Sequence, residues 1–455
     1  MSELSLSSQN WLLSETATQP RHLGQLLLFR KPERSSPDFV LRLYDQFAKA
    51  SQPVSPFNWQ LQSVRKGLRR FSWRVDTEFQ LQRHWRYHKL RHPGPLSRLH
   101  QLINDLHQPV MDRSRPLWEA HLIDGLRHRE FAIYIKVHRA VCDLSRLWQS
   151  LSNTLRSARS AKAGAPLWMS PYASEHSPIP TGKGKQQSNM LLGLGRMALQ
   201  WTPGPLRRKS PVSILGLGRT DESLLNGCAE GRKQLMFGQI GCAQVSSLAK
   251  QAGCSDRAVF LYLIEQALHQ SLDINGTINN KRETGLGIQV PQRWLNARAD
   301  ASAWTNIELP ARDQKNHFDP LRRLQQIQTT LNDVTAAIQG QWNPAAHFQS
   351  AAADGIGGLL ELSGLTDLWR IGGHFKFSQG GQTRRPLYLN GARMQASYAI
   401  DHCSPGQRMA LCSNEYDGQH FMCLLHDEEL QLDSSELAEL WQQTLKDLEA
   451  AIDPI

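Results

Sequence analysis

The chain has 455 residues, 40% of them hydrophobic and 20% charged, and its formal net charge is +11. A chain of this length exceeds one ordinary hydrophobic core, so we expect two domains, or two halves packed together. No uninterrupted apolar run is long enough to span a bilayer, and residues 1–11 have neither a basic start nor an apolar signal core. We therefore expect a cytoplasmic protein.

The cysteines predict reduced thiols rather than a disulfide framework or a zinc site. They are odd in number and widely spaced, and no two of them form a C-x-x-C pair. Cys142 follows His138 closely, but no second feature marks it as a nucleophile. The full set is Cys142, Cys228, Cys242, Cys254, Cys403, Cys412 and Cys423.

The positive charge is concentrated in a basic segment from Arg65 to Arg98, which holds ten Lys or Arg against only Asp76 and Glu78. Such a segment can attract nucleic acid, an anionic membrane surface or a phosphorylated molecule such as coenzyme A, or it can be a solvated face without function. No helix-turn-helix, zinc or RNP signature accompanies the charge, so we expect no nucleic-acid partner.

A histidine series in the same segment could suggest a metal site. His84, His88 and His92 stand four residues apart, but the local pattern is extended, and in a strand four residues span about 13 Å. We therefore predict no bound metal.

Hydrophobic periodicity predicts the elements of the first half in chain order. They are a short helix over 4–13, a strand over 22–29, an amphipathic helix over 39–48, strands separated by turns over 57–79, a helix over 96–106, and a hairpin that joins strands at 120–123 and 131–137.

The hairpin leads into the most informative stretch, residues 135–144. The second strand ends near His138, and apolar residues at helical spacing begin at Leu144, so a loop between them carries Asp143 to a helix N-terminus. A histidine and a carboxylate at such a junction are suited to proton transfer. A buried histidine beside an ordinary helix cap is the alternative interpretation.

A change of composition separates the two halves. Residues 158–189 are rich in Ser, Pro, Gly and Lys, which is typical of a linker. An apolar helix at 190–201, followed by the basic cluster 207–209, could lie on a lipid surface or pack between domains. We divide the chain into an N-terminal domain (1–157), this linker with its helix (158–209) and a C-terminal domain (210–455).

The second half also mixes helices with strands. We predict helices over 241–252, from Ser255 and Asp256 to Leu268, over 319–331 and from Asp433 to the C-terminal region, with a buried strand at 285–290. Short strands at 387–389, 396–400, 409–414 and 420–425 suggest one further sheet.

Several blocks, taken in order from Leu4 to about Leu448, resemble the bacterial wax ester synthase/diacylglycerol acyltransferase family. Each block is weak by itself, but their shared order over nearly the whole chain makes the resemblance strong. They are the opening helix with Trp11-Leu12-Leu13, Pro20-Arg21-His22-Leu23-Gly24, Trp73-Arg74-Val75-Asp76, Pro93-Gly94, residues 112–119 (DRSRPLWE), Asp319-Pro320 with Arg323-Leu324, and residues 386–392 (PLYLNGA).

The resemblance implies an α/β (α+β) fold of two domains like those of coenzyme-A-dependent acyltransferases such as chloramphenicol acetyltransferase, with a tunnel between them. It implies transfer of a long acyl group from acyl-CoA, the co-substrate, to a fatty alcohol or diacylglycerol, without a further cofactor. The family motif is His-His-x-x-x-Asp-Gly. Its second histidine is the general base, and its Asp organises the local structure.

This sequence departs from the motif at its chemical centre. His138 and Asp143 match the first His and the Asp, but Arg139 replaces the base and Leu144 replaces the Gly. Arginine stays protonated and cannot accept the alcohol proton. A shifted loop could instead bring His138 to the chemistry.

Two further blocks depart in the same direction. The family's Asn-Asp pair corresponds to Ser255-Asp256, and its Ser-Asn-Val-Pro-Gly-Pro loop matches the segment that begins at Ser378 only loosely. We thus expect Ser255, Asp256 and Ser378 on the substrate side of the site. The sequence favours a weakened acyltransferase, and the alternative is a catalytically inactive protein that binds acyl-CoA or neutral lipid. Peripheral contact with a membrane or lipid inclusion is compatible with both.

Overall fold

The structure is a computed structural model. It describes residues 2–4, 6–66, 69–170, 218–219, 225–227, 231–274, 286–299, 303–311, 319–339, 350, 355–360, 363, 365, 369–370, 373–432 and 434–452. The predicted apolar helix at 190–201 and the basic cluster at 207–209 lie outside these residues.

The described helices begin and end as follows: α1 (Leu6–Leu13), α2 (Phe39–Ala48), α3 (Leu96–His107), α4 (Leu144–Thr154), α5 (Cys242–Gln251), α6 (Asp256–Ile274), α7 (Gln292–Leu295), α8 (Pro320–Gln339) and α9 (Ser434–Ile452). Within the described part of the chain, no helix is both long enough and apolar enough to cross a membrane.

The described strands are β1 (Ser2–Glu3), β2 (His22–Arg30), β3 (Trp59–Lys66), β4 (Arg69–Val75), β5 (Trp85–Gly94), β6 (Trp118–Leu126), β7 (Glu130–His138), β8 (Gly218–Arg219), β9 (Lys233–Gly241), β10 (Gly287–Pro291), β11 (Trp304–Glu308), β12 (Trp369–Arg370), β13 (Phe375–Thr383), β14 (Tyr388–Leu389), β15 (Ala392–Ile400), β16 (Met409–Tyr416) and β17 (Gln419–Asp427).

The helices follow from their apolar spacing. In α2 the buried side chains are Val40, Leu43 and Phe47, which lie on one face because they are three and four residues apart. Helix α5 is followed by Gly253 at φ +64°, a left-handed conformation that glycine adopts without steric cost. Both helices were predicted from the sequence within one residue of these bounds.

Two six-stranded sheets form the body of the molecule. Sheet 1 has the order β14-β15-β2-β7-β6-β5, and sheet 2 has the order β11-β10-β13-β16-β17-β9. The predicted hairpin is confirmed, because β6 and β7 pair antiparallel from Trp118 opposite Val137 onward. The small strands β1, β4 and β3 form a separate sheet.

One strand from the second half of the chain completes sheet 1. Strand β15 pairs antiparallel with β2, from Arg393 opposite Arg30 to Ile400 opposite Gly24. The prediction of one sheet over 387–425 is therefore wrong, since β14 and β15 belong to sheet 1 while β16 and β17 belong to sheet 2. Spacing along the sequence reveals strands, but partner choice depends on residues hundreds of positions away. The domain limits 1–157, 158–209 and 210–455 stay a prediction.

The two halves also meet along two helices. Helix α3 lies on β9, where Asn104 Oδ1 accepts a hydrogen bond from the Leu235 N–H at 2.8 Å and the rings of His100 and Phe237 are 4.3 Å apart. Helix α4 lies on β13, and a side chain at Gly381 would collide with the ring of Trp148. Helix α4, which follows the motif, thus packs against β13, the strand that carries Ser378.

Candidate functional site

The stretch 135–144 has the predicted strand, turn and helix. Strand β7 ends at His138, the Val141 N–H donates to the His138 carbonyl at 2.9 Å to close the turn, and α4 begins at Leu144. Asp143 caps this helix, because its side chain accepts a hydrogen bond from the Arg146 N–H at 2.8 Å. The carboxylate of Asp143 thus fixes the start of α4.

Both ring nitrogens of His138 have neighbours, and the side chain is 1% exposed. The Ala140 N–H donates to Nδ1 at 3.0 Å, which places the ring proton on Nε2, 3.3 Å from Glu15 Oε1. The lone pair that a base needs is therefore already in use. This geometry argues against His138 as the base that takes the alcohol proton.

Glu15 is a residue of this site that the sequence analysis missed. Its buried carboxylate accepts from the Arg21 N–H at 3.1 Å and from Arg113 Nη2 at 3.0 Å, in addition to its contact with His138. Burial alone raises the pKa of this carboxyl, but His138, the Arg21 N–H and Arg113 together lower it to about 2. Three separate segments of the sequence, which contain Arg21, Arg113 and His138, therefore all contact the Glu15 carboxylate.

Arg139 occupies the position of the expected base and is half-buried. Its N–H donates to the Arg21 carbonyl at 2.8 Å, and its Nη1 donates to the Cys142 carbonyl at 3.3 Å. The guanidinium carbon lies 5.9 Å from the centre of the Trp11 ring, a cation–π distance. The side chain thus holds a permanent positive charge beside the turn.

Ser255 and Asp256 lie at the start of α6. The Ser255 N–H donates to Gln328 Oε1 at 2.8 Å, and Asp256 Oδ2 accepts from Ser246 Oγ at 2.6 Å. Within the described part of the chain, Ser255 and Asp256 form hydrogen bonds only with other residues of the second half. The structure therefore does not bring them into contact with His138 or Arg139, and their role in substrate binding stays a prediction.

Ser378 belongs to a buried polar cluster, which we define as Lys376, Ser378, Asp401 and His402. Asp401 accepts hydrogen bonds from the Ser378 hydroxyl and from the backbone N–H of His402. Lys376 Nζ lies 2.9 Å from Asp401 Oδ2. The His402 ring stands edge-on to Trp11, with 4.8 Å between the centroids. The cluster therefore touches the same tryptophan as Arg139.

The sequence analysis missed this cluster apart from Ser378. The available signal was the pair Asp401-His402 directly after a β-prone run, but only the pairing of β15 with β2 places it beside the motif. Among the described residues, no group of three or more His, Cys, Asp or Glu side chains is arranged to hold a metal ion.

Comparison with solved structures defines the class of fold. Over 99% of this chain and 100% of the other, the structure matches a wax ester synthase/diacylglycerol acyltransferase from Marinobacter aquaeolei VT8 with a TM-score of 0.73 and 22% identity. It also matches the first condensation domain of the calcium-dependent antibiotic synthetase, with a TM-score of 0.56 and 12% identity over 100% of this chain and 96% of that one. The chain therefore has the two-domain α/β fold that the sequence analysis predicted.

Sequence comparison points to the same group of enzymes. The family model for the wax ester synthase/diacylglycerol acyltransferase catalytic domain matches residues 4–202. The O-acyltransferase WSD of Acinetobacter baylyi is 26% identical over 418 residues, 89% of this chain and 88% of that protein. A putative diacylglycerol O-acyltransferase of Mycobacterium tuberculosis is 27% identical over 416 residues, 88% of each. Residues 4–202 thus match the catalytic domain of the wax ester synthase/diacylglycerol acyltransferase family, and the chain is similar to these named acyltransferases over most of its length.

Proposed function

We propose that this chain is an acyl-CoA-dependent O-acyltransferase that moves a long acyl group to a fatty alcohol or to diacylglycerol, the chemistry of wax ester and triacylglycerol synthesis. The observation that carries the proposal is the relationship to named O-acyltransferases over 89% of the chain. Acyl-CoA is then the co-substrate, and the alcohol or diacylglycerol is the acceptor.

The arrangement around Arg139 accounts for a weakened reaction. In this family's reaction the acceptor oxygen attacks the thioester carbonyl while a base removes its proton, and donors stabilise the oxyanion. The Arg139 guanidinium can supply a donor to the oxyanion but not a base. Since general-base assistance contributes about 10² to 10⁴ in rate, its loss slows the reaction without removing every other contribution to catalysis.

Product analysis of the wild type beside R139H tests the proposal. Purified protein is incubated with palmitoyl-CoA and either hexadecanol or dioleoylglycerol, and the esters are identified by mass spectrometry with thioester hydrolysis measured in parallel. We expect slow ester formation by the wild type and faster formation by R139H, which restores the family motif. R42H is the matched control, because Arg42 is an exposed arginine on α2 that pairs with Asp38.

Two results would contradict the proposal. One is the absence of ester from the wild type with every acceptor. The other is an increase in the rate of ester formation in R42H equal to that in R139H, which would show that the increase does not depend on the motif position.

A binding protein without turnover is the second candidate. The observation in its favour is Arg139 itself, because a half-buried guanidinium beside Trp11 is suited to bidentate binding of a carboxylate or a coenzyme A phosphate. Calorimetric titration with palmitoyl-CoA is the test. Tight binding without ester formation, weakened in R139Q, would support this candidate, and sustained turnover by the wild type would remove it.

Peripheral contact with an anionic membrane or lipid inclusion is proposed as an addition to either activity. Within the basic segment, the described side chains that are exposed include Arg74, Arg83, Arg86, Lys89, Arg91 and Arg98. This face would bind anionic lipid by charge, so the binding should weaken as salt increases.

Co-sedimentation with vesicles containing phosphatidylglycerol tests this contact. At low salt we expect the wild type to pellet with the vesicles and K89E/R91E to remain largely in solution. R384E/R385E is the control, because it reverses two adjacent exposed arginines elsewhere on the surface. Equal loss of binding in both variants would show that net charge alone, and not this face, is responsible.

A further inference from the structure

We propose that His402, oriented by Asp401, is the general base of the transfer, a weaker one that stands in for the histidine missing at Arg139. This inference rests on the proposed acyltransferase function.

The topology places His402 beside the motif. Strand β2 lies between β7 and β15, and His22 pairs with His138 on one side while Gly24 pairs with Ile400 on the other. Beyond the last of these pairs, Arg21 continues both contacts. Its carbonyl accepts from the Arg139 N–H at 2.8 Å, and its Nη1 donates to the Cys403 carbonyl at 2.6 Å. The segment 401–403 is thus adjacent to the strand ends that carry the motif.

The two ring nitrogens of His402 have different surroundings: Nδ1 faces the Asp401 carboxylate, and Nε2 does not. Nδ1 lies 2.8 Å from Asp401 Oδ1, at an ion-pair distance but without hydrogen-bond geometry, and the nearby carboxylate favours the ring proton on Nδ1 and the lone pair on Nε2. Nε2 is buried and has no hydrogen-bond partner among the described residues. A buried acceptor without a partner is destabilising, so such an atom calls for an explanation, and a substrate hydroxyl is a suitable donor.

Asp401 is held as an anion that can orient this imidazole. Burial alone raises the pKa of its carboxyl, but Lys376, His402 and the Ser378 hydroxyl lower that pKa well below its ordinary value. Burial, followed by the charge of Lys376, lowers the pKa of His402 to about 3. The pair is therefore a carboxylate and a neutral imidazole near neutral pH, and the low pKa makes this imidazole a weaker base than an ordinary histidine, in keeping with a slow reaction.

Trp11 connects the two chemical groups. Its ring contacts the His402 imidazole and the Arg139 guanidinium, with 4.8 Å between the ring centroids in the first case and 5.9 Å from the guanidinium carbon in the second. The cation would face the oxygen where negative charge develops, and the imidazole would face the hydroxyl. Arg139 from the first half of the chain would thus stabilise the oxyanion, and His402 from the second half would accept the proton.

The transfer consists of an addition to the thioester carbonyl and an elimination of coenzyme A. The acceptor oxygen forms a bond to the thioester carbonyl carbon while its proton passes to His402 Nε2, and the carbonyl oxygen becomes an oxyanion beside Arg139. When the carbonyl re-forms, the carbon–sulfur bond breaks, and the proton on Nε2 passes to the coenzyme A sulfur. The products are the ester and free coenzyme A.

H402Q tests the inference, with H426Q as its matched control. His426 is also buried next to an aspartate, but it lies on β17, and its Nδ1 is 2.8 Å from the Asp427 carbonyl. For both variants, kcat for ester formation from palmitoyl-CoA and hexadecanol, the Kd for palmitoyl-CoA and the melting temperature are measured. We expect kcat to fall by about 10²-fold or more in H402Q only, with Kd unchanged.

R139H placed in the H402Q background separates a base from a structural residue. If His402 is the base, restoring the family histidine returns turnover, whereas a fold weakened by loss of His402 would not be repaired at position 139. Turnover of H402Q equal to that of H426Q overturns the inference. Loss of both turnover and palmitoyl-CoA binding in H402Q, without recovery in R139H/H402Q, also overturns it.

A wild-type measurement covers the case in which H402Q does not fold. Nitrogen-15 NMR of labelled histidines should show a buried imidazole with the proton on Nδ1 and a bare Nε2 in addition to those of His84 and His426, whose Nδ1 atoms face carbonyls, and this additional signal should be absent in H402N. A proton on Nε2 of His402 overturns the inference. A wild type that makes no ester overturns both this inference and the proposed function, whereas ester formation unaffected by H402Q overturns this inference alone.

Discussion

Glu15 shows how single residues build the site. Its carboxylate lies after α1, yet it contacts His138 at the end of β7 and Arg113 in the connection before β6. A buried carboxylate is costly unless it is paired and hydrogen-bonded, and here three donors surround it. The histidine that first suggests catalysis is thus part of the framework that holds the motif turn.

We predict that E15Q lowers the free energy of unfolding by about 3 kcal/mol near pH 7, because the pKa of this carboxyl falls from 4.5 to about 2 on folding. A group with a depressed folded pKa stabilises the fold above its unfolded pKa, and this contribution is lost as the pH falls through the folded pKa. The difference in the free energy of unfolding between wild type and E15Q should therefore become smaller as the pH falls from 4.5 toward 2. Urea denaturation at a series of pH values measures it.

E130Q is the control for this prediction. Glu130 is also buried, but its partner Arg30 is 55% exposed at a distance of 3.2 Å, so the pair is close to water. Exposed pairs of this kind contribute about 1 kcal/mol or less. Equal destabilisation by E15Q and E130Q would show that Glu15 has no special role.

At the scale of elements, the contact between α4 and β13 sets how closely the halves approach at the motif. Gly381 allows this, since a side chain there would overlap Trp148 of α4. The helix capped by Asp143 therefore rests directly on a strand of sheet 2.

We predict that G381A destabilises the protein by about 1–3 kcal/mol, because the added methyl group must displace Trp148 or the strand. G241A is the matched control, since a methyl group there meets only ordinary contacts, the nearest at 3.8 Å. Chemical denaturation of both variants is the measurement. If G381A is as stable as G241A, the contact between α4 and β13 is not tight.

A buried ion pair fixes α8 to α6 in the second half. Arg323 Nε donates to Glu265 Oε2 at 2.9 Å, Nη2 bonds the other carboxylate oxygen, and Nη2 also donates to the Pro310 carbonyl at 2.8 Å. Both side chains are almost fully buried. The block with Asp319-Pro320 and Arg323 thus has a packing role.

We predict that R323M lowers the free energy of unfolding by about 3–5 kcal/mol, because it leaves Glu265 buried without its ionic partner. The double variant E265L/R323M should recover most of this loss, since an apolar pair of similar volume avoids the buried charge. Urea unfolding of the singles and the double forms a cycle. A double variant no more stable than R323M would show that packing, rather than charge, is lost.

At the scale of the whole molecule, one of the two large hydrophobic cores in the described part of the chain contains residues from both halves. Leu235 and Phe421 from the second half belong to the core cluster built around Phe29 and Phe131 of sheet 1. Because β15 also supplies the neighbour of β2, sheet 1 is incomplete without residues 392–400.

We predict that a fragment of residues 1–209 aggregates, because it leaves the long buried strand β2 as an open edge. Co-expression with residues 210–455 should restore a soluble complex, and the whole chain should melt in one transition. Size-exclusion chromatography and calorimetry are the measurements. A monomeric, cooperatively folded 1–209 fragment would contradict this account.

How far the sequence predicts this molecule depends on the distance over which each feature is encoded. The periodicity of α2 and the hairpin of β6 and β7 are local, and both were predicted. Strand β9 was missed because Gly238 and Gln239 interrupt its alternation, and Lys233 is buried only through its pairing with Asp427. For the site, the local pattern pointed to His138 and Asp143 and the family resemblance pointed to Arg139, whereas Glu15 and His402 come near these residues through pairings that no local pattern encodes.

The crossing of β15 to β2 also sets a timescale for biosynthesis. Strand β2 is complete at Arg30, but its neighbour ends at Ile400. At about 5–20 residues per second, the ribosome needs roughly 20–70 s to synthesise the intervening chain. During that interval the nascent protein carries an apolar, unpaired edge, so its yield in the cell should depend on elongation speed and on chaperones that cover β2 until the second half emerges.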